Sequence, residues 1–286
     1  MRYAYYQSCS LRTSGREYDR SLRAVFQKLG IELVEQMDWL CCGSTLAHNV
    51  SQLLSLALPM KNLALIGQAG FNAVIIPCTA CYSRFKFAQY ETRESPELAA
   101  KVEAVIEQKI SPVKVLHPLE VLSSEEVLAR IKSLVKRPIP AAKVACYYGC
   151  LLVRPPQVMQ FDICEYPQTM DRILAAAGIT TLDWSHKVEC CGGSLSLTKP
   201  EAVLKLTGHV LEDAKAVGAT AISVPCTFCQ LNIDSRQQEI ERQQGVKYNM
   251  PVFYFTELLA LALDVPDNRL LLDKHFVNTG TLLGVS

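Results

Sequence analysis

Cysteine stands out in this chain by number and by spacing. Twelve of the 286 residues are cysteine. Most of them fall into two matching sets: Cys9, Cys41, Cys42, Cys78 and Cys81, then Cys150, Cys190, Cys191, Cys226 and Cys229. Each set holds a lone thiol, an adjacent pair followed by Gly43 or Gly192, and a Cys-x-x-Cys entered through Pro77 or Pro225. Thiolates are soft ligands that suit zinc and iron–sulfur clusters. A tetrahedral zinc ion is satisfied by four ligands, and each set offers more. An adjacent pair has difficulty placing both sulfurs on one small ion but readily serves two neighbouring metals. Both facts favour a multi-iron centre. Zinc at one or both sites is the alternative, and coincidental buried thiols are the plainest one. The glycines let the backbone approach a ligand closely.

The elements that must position these thiols come from an internal duplication. YAYYQSCSL (3–11) matches VACYYGCLL (144–152), and KLGIELVEQMDWLCCG (28–43) matches AAGITTLDWSHKVECCG (176–192). AGFNAVIIPCTACYS (69–83) matches VGATAISVPCTFCQL (217–231), and the segment 115–122 matches 253–260 with Glu120 on Glu257. The second half carries extra residues around RPPQVMQFDICEYP. Each half alternates strands with helices: strands at 2–7 and 143–148, in IELVEQ and ITTLDW, in NAVIIP and TAISVP, and in VKVLHP and PVFYFT. Helices are expected at 16–29, 46–69 and 82–109, and at 168–177, 197–217 and 230–244, several of them stopped by glycine. Such alternation predicts an α/β fold with mostly parallel sheets. The Pro- and Lys-rich SLVKRPIPAAK (133–143) reads as the linker, dividing the chain into domains 1–138 and 139–286. Every repeated cysteine follows a strand. In a parallel sheet the strand C-termini share one edge, where ligands bind, so each set should converge there.

The bulk numbers exclude some classes. Net charge is +1 with no basic tail, so nothing suggests nucleic-acid binding. The polar start MRYAYYQSC argues against a signal peptide, and a reducing, cytoplasmic compartment is expected, in which disulfides are improbable. The apolar stretch LLSLALPMKNLALIGQAG, broken by Pro59 and Lys61, reads as one or two buried helices, with peripheral contact at the inner face of the membrane left open.

Other residues read more plainly. Cys146 aligns with Tyr5 and Cys164 lies in the inserted segment, so both are ordinary small side chains. Trp39 and Trp184 are core or wall residues. His48 and His186 lie near the pairs and read as structural histidines before proton donors. Arg84 and Lys86 either screen an anionic cluster or line a solvated helix face.

The pattern Cys9-x31-Cys41-Cys42-x35-Cys78-x2-Cys81, repeated as Cys150-x39-Cys190-Cys191-x34-Cys226-x2-Cys229, resembles the CCG (cysteine-rich) domain family and, within it, the B-type component of heterodisulfide reductase. PCTAC, PCTFC and the closing LLLDKHFV are similar to that family too, and the match covers essentially the whole chain. The resemblance implies two tandem Rossmann-like domains related by a pseudo-twofold axis. It implies that each five-cysteine set holds a noncubane [4Fe-4S] cluster, and that a disulfide is reduced or formed between the two. No side chain is assigned a catalytic role. With no Cys-x-x-Cys-x-x-Cys run in the chain, a small ferredoxin-like [4Fe-4S] subunit and a larger flavin-containing subunit would exchange electrons with it. The competing reading is an electron-transfer or quinone-interacting anchor subunit of a succinate or fumarate reductase. A glycolate- or lactate-oxidising complex is disfavoured by the missing ferredoxin-type motifs.

Overall fold

The computed structural model describes residues 1–36, 38–44, 47–139 and 142–283. Its strands are β1 (Arg2–Tyr5), β2 (Glu32–Glu35), β3 (Ala73–Ile75), β4 (Lys114–Leu116), β5 (Lys143–Cys146), β6 (Thr180–Leu182), β7 (Ala221–Val224) and β8 (Val252–Tyr254). They form two four-stranded sheets of the same order, β2-β1-β3-β4 and β6-β5-β7-β8. Every pairing is parallel, with Tyr5 beside Ile75 in one sheet and Ala145 beside Ile222 in the other. Parallel strands need crossover helices, which cover both sheet faces. That explains the continuous apolar runs: every residue of β7 is buried.

Most of the expected helices form, with instructive shifts, but those expected at 82–109 and 230–244 are each two helices, Thr79–Glu94 with Pro96–Ile106 and Thr227–Ser235 with Gln237–Gln244. Arg16–Lys28 and Thr169–Ala176 stand where the apolar periodicity puts them. The apolar stretch becomes one helix, Gln52–Gln68, with Pro59 inside it. It follows a short helix, Ala47–Val50, while Leu46, the expected start, lies outside the described residues. The matching helix, Pro200–Ala216, begins later than expected because Pro200 occupies its first position, where proline has no hydrogen bond to lose. The helices after β3 and β7 start at Thr79 and Thr227, inside each Cys-x-x-Cys, with Cys78 and Cys226 at the N-caps. Of the expected linker, Ser133 and Leu134 end the helix Glu125–Leu134, Lys143 opens β5, and residues 140 and 141 lie outside the described ones.

The two halves share one core. Helix Arg16–Lys28 of the first packs on Phe255–Ala262 of the second, and Thr169–Ala176 of the second packs on Pro118–Leu122 and Glu125–Leu134 of the first. At the first of these contacts Tyr18 stacks on Tyr254, centroids 4.5 Å apart, and Ser21 Oγ lies 2.6 Å from Thr256 Oγ1. Ser21 and Thr256 thereby satisfy each other's buried hydroxyls.

Candidate metal centres

The crossover topology brings both thiol sets to the C-terminal sheet edges. In the first half Cys42 Sγ lies 3.0 Å from Cys81 Sγ, and Cys81 also shares a hydrogen bond with Cys78. Cys9 feels the charges of Cys41, Cys42 and Cys78. In the second half Cys191 Sγ lies 3.6 Å from Cys229 Sγ, Cys229 shares a hydrogen bond with Cys226, and Cys150 with Cys190. All twelve cysteines are free thiols. Among the described residues no group of three or more His, Cys, Asp or Glu side chains is disposed to hold a metal ion. The thiols thus stand as short strings, Cys42–Cys81–Cys78 and Cys191–Cys229–Cys226, with Cys150 linked to Cys190.

Crowded thiols shift one another. The hydrogen bond from Cys81 brings Cys78 down to about 6, against the opposing effect of burial. Cys150 does the same for Cys190, with help from the Gly192 and Gly193 N–H groups. The proton that each partner keeps drives Cys81 and Cys150 upward. A site that holds thiolates ready in part is suited to soft metals. The backbone adds donors at matching places: Gly43 N–H to Cys41 Sγ at 3.4 Å and Gly192 N–H to Cys190 Sγ at 3.3 Å. Both glycines have φ of +74°, the left-handed turn that lets the chain fold back on its own sulfur. Donor chemistry, number and backbone support together fit an iron–sulfur cluster at each site.

Further residues fix the two loops. Tyr6 donates to Leu40 O at 2.7 Å and its counterpart Tyr147 to Glu189 O at 2.5 Å, tying β1 and β5 to the residue before each cysteine pair. His117, fully buried, places Nε2 3.1 Å from Pro77 O and hydrogen-bonds to Pro225 O as well. Its Nδ1 accepts from Leu119 N–H at 3.3 Å. Burial drives His117 down to about 3, so the ring is neutral and Nε2 carries the proton. One imidazole therefore holds the entries to both Cys-x-x-Cys turns. The sequence reading missed it, although the H-P-x-E spacing is a helix-start signal whose Glu120 returns to His117 N–H at 2.6 Å.

The remaining expectations meet the structure as follows. Cys146 is fully buried and Cys164 lies against Glu165, both away from the thiol sets. Trp184 is core, donating to Cys146 O, whereas Trp39 is a half-buried wall under Arg12. His186 is paired with Asp213 at 2.8 Å, the structural role expected of it, and the side chain of His48 lies outside the described residues. Arg84 and Lys86 are half-buried rather than solvated, over the rings of Phe87 and Tyr82.

A cleft of about 570 Å³ opens beside the second thiol set. Cys150, Cys190, Cys191, Cys226 and Cys229 line it with Leu151, Leu197, Phe228 and Tyr148, and Thr79 and Ala80 close it from the first half. Among the described residues no Lys, Arg, His, Asp or Glu lines it. Leu197 stands 96% exposed at the mouth, and Val50 on the opposite half 76%. A groove of similar size near Met1, Lys114 and Arg172 contains no thiol.

Gly149 offers a test of the second set. At φ +70° a Cβ there would stand 3.1 Å from Cys229 Sγ, whereas at Gly178, φ +75°, it would meet nothing within 4 Å. Both Gly→Ala changes carry the left-handed penalty of about 1–2 kcal/mol. We expect Gly149→Ala to cut iron bound per chain markedly and Gly178→Ala to leave it unchanged. Equal iron contents with equal melting temperatures would refute the role given to Gly149.

Comparisons with known proteins bear on this geometry. A family model for the cysteine-rich domain, CCG, matches residues 3–86 and 144–234. The chain is 29% identical, over 99% of both sequences, to the 8-methylmenaquinol:fumarate reductase membrane anchor subunit of Wolinella succinogenes. It is 26% identical, over 91% of this chain and 88% of the relative, to the B component of the ferredoxin/F420H2-dependent CoB–CoM heterodisulfide reductase of Methanosarcina acetivorans. Among solved structures, a hypothetical protein from Helicobacter pylori superposes with a TM-score of 0.76 at 13% identity, covering 97% of this chain and 52% of that one, a likeness of fold.

Proposed function

The chain belongs to the CCG cysteine-rich domain family, and from that premise we propose that it is the iron–sulfur subunit of a multisubunit oxidoreductase, made of repeats 1–138 and 139–286. In this reading it exchanges electrons between a partner iron–sulfur subunit and an uncharged, largely apolar carrier of the quinone class held in the cleft. Cys9, Cys41, Cys42, Cys78 and Cys81 would hold one [4Fe-4S] cluster, and Cys150, Cys190, Cys191, Cys226 and Cys229 the other. When bound, the clusters supply one-electron reservoirs, two of which together serve a two-electron acceptor.

The observation that carries the choice of acceptor is the lining of the cleft. A substrate bearing carboxylate, phosphate or sulfonate groups would need cationic partners to leave water. The cleft offers apolar walls, thiols and the hydroxyls of Ser194 and Thr198, which can donate to the carbonyls of a neutral ring. The similarity to a methylmenaquinol:fumarate reductase subunit along the whole length of both chains supports the same reading. Among the described residues no helix is long and apolar enough to cross a membrane. Contact with an apolar carrier would then come through the exposed Leu197 at the cleft.

The second reading is a disulfide reduced or formed at the same place, with a flavin-containing subunit as the electron source. It is favoured by the heterodisulfide reductase relatives at 24–26% identity. One experiment separates the two. Anaerobically purified chain, reduced with dithionite and desalted, is mixed with a short-chain quinone or with an anionic mixed disulfide. Reoxidation by the quinone alone is expected. Reoxidation by the disulfide alone, or a new paramagnetic signal when a thiol is added to the oxidised protein, would replace the first reading by the second.

A further inference from the structure

The duplication places different charges at matching positions beside the two thiol sets. Within the Cys-x-x-Cys segments the halves align at a constant offset, Cys81 on Cys229, which puts Arg84 on Asn232. Each lies three residues beyond its cysteine, on the same helix face. Asn232, almost wholly buried, shows where that position points. Its Nδ2 donates to Cys191 O at 3.0 Å and lies 3.9 Å from Cys191 Sγ, and Ser196 Oγ holds its Oδ1 at 2.7 Å. In the first half the corresponding thiol is Cys42: burial lowers the half-buried guanidinium of Arg84, and the charge of Cys42 works against that fall. Arg84 rests over Phe87, 5.1 Å from the ring centroid, and makes no ion pair among the described residues.

A second difference has the same sign. The matching hydrogen bonds from Tyr6 and Tyr147 identify Leu40 and Glu189 as equivalent. The first set thus has a neutral neighbour where the second has a carboxylate, and Glu189 pushes against the charge of Cys190. Two features oppose the trend and are weak: Arg236, where the first half has Ala88, donates to Ser196 O at 2.9 Å with Glu239 3.9 Å from it, and one further pair of charges precedes the cysteine pairs. Asp38, three residues before Cys41, is exposed and screened by water, and Lys187, three before Cys190, is neutralised by Asp171 at 3.1 Å. An uncompensated cation stabilises added negative charge nearby, and a carboxylate destabilises it.

Resting on the two-cluster reading above, we propose that the sites are unequal electron acceptors. Arg84 makes the first-half centre the easier to reduce, while Asn232 and Glu189 leave the centre beside the cleft as the stronger reductant. The first electron from a partner or a chemical reductant then fills the first-half centre, and the second fills the centre at the cleft. An acceptor bound there meets the electron most ready to leave. Arg84 and Asn232 are positioning residues for charge, not ligands.

The test is a dithionite titration of the full chain, loaded anaerobically, followed by EPR. Cys42→Ser and Cys191→Ser assign each signal to its half. The first-half signal is expected to appear at the higher potential, with an electron shared between the centres favouring it at least about tenfold, or ~59 mV for one electron. Arg84→Asn and Asn232→Arg should each narrow the gap, and Arg84→Lys should preserve it, all with unchanged iron content. A second-half centre that reduces first, or a gap indifferent to Arg84→Asn and Asn232→Arg, would overturn the proposal. Iron content well short of two clusters would defeat the reading of the sites themselves and this inference with it.

Discussion

Cys42→Ser is expected to remove the first centre completely and to lower bound iron from about eight to about four per chain, four irons belonging to each cluster. The reason lies in the geometry. Cys42 is 3% exposed, and its sulfur sits 3.0 Å from that of Cys81, which in turn shares a hydrogen bond with Cys78. A serine hydroxyl is a harder and far less acidic donor, so it cannot take over a soft ligand's place. Cys191→Ser should do the same to the second centre through its contact with Cys229. The remaining signal should be undisturbed in each case. Cys146→Ser and Cys164→Ser, away from both sets, are controls expected to keep all the iron. Unchanged iron and spectra in both Cys42→Ser and Cys191→Ser would end the ligand assignment.

The second large effect is on stability and comes from the closing segment. His275 is buried between two carboxylates, with Nε2 2.9 Å from Glu257 and Nδ1 3.9 Å from Asp234. Asp234 in turn accepts from the N–H groups of Phe276 and Val277 at 2.8 and 3.0 Å and from Gln230 at 2.9 Å. Burial alone would depress the imidazole, but the charge and hydrogen bond of Glu257, with Asp234 and Glu17 behind, raise it to about 9. The folded state therefore holds this proton more tightly than the unfolded chain does, whose histidine titrates near 6.5. The stabilisation is complete below about pH 6.5 and is lost as pH rises through about 9, a contribution of about 3 kcal/mol. His275→Ala should lower stability at pH 6 by about 3–5 kcal/mol, because it leaves buried carboxylates without their cation. It should also flatten the fall in melting temperature between pH 6.5 and 9. A variant that keeps the wild-type pH profile would show that His275 is not the titrating group.

The gathering of the thiols was legible because the repeated cysteine spacing is one that ordinary packing does not require. The ten repeated thiols, the glycines after each pair and the strand before each thiol all follow from residue type and order. The parallel sheets followed from the alternation of elements, since consecutive parallel strands need covering helices. Single residues whose meaning depends on the other half could not be read this way. His117 serves Pro77 and Pro225 at once, and nothing in VLHPLEVL announces a partner more than a hundred positions away. The segment LLLDKHFV was recognisable as a family feature, yet its buried histidine acquires a role only when the fold brings Asp234 and Glu257 to either side of it. The helix starts at Thr79 and Thr227 depart from the expected ones for a local reason. A cysteine at the N-cap is not among the usual capping residues, so the start inside each Cys-x-x-Cys carried no ordinary signal.

The exchange of helices between the halves has a historical consequence. Helix Arg16–Lys28 covers the second half's Phe255–Ala262, which is buried along its whole length, and Thr169–Ala176 returns the contact on the first half. A primordial chain of half this length would have left that surface bare. A homodimer, each copy roofing its neighbour across a true twofold axis, would cover it again. Joining two such copies in one chain removes the demand for identity, so that arginine can stand on one side of the axis and asparagine on the other.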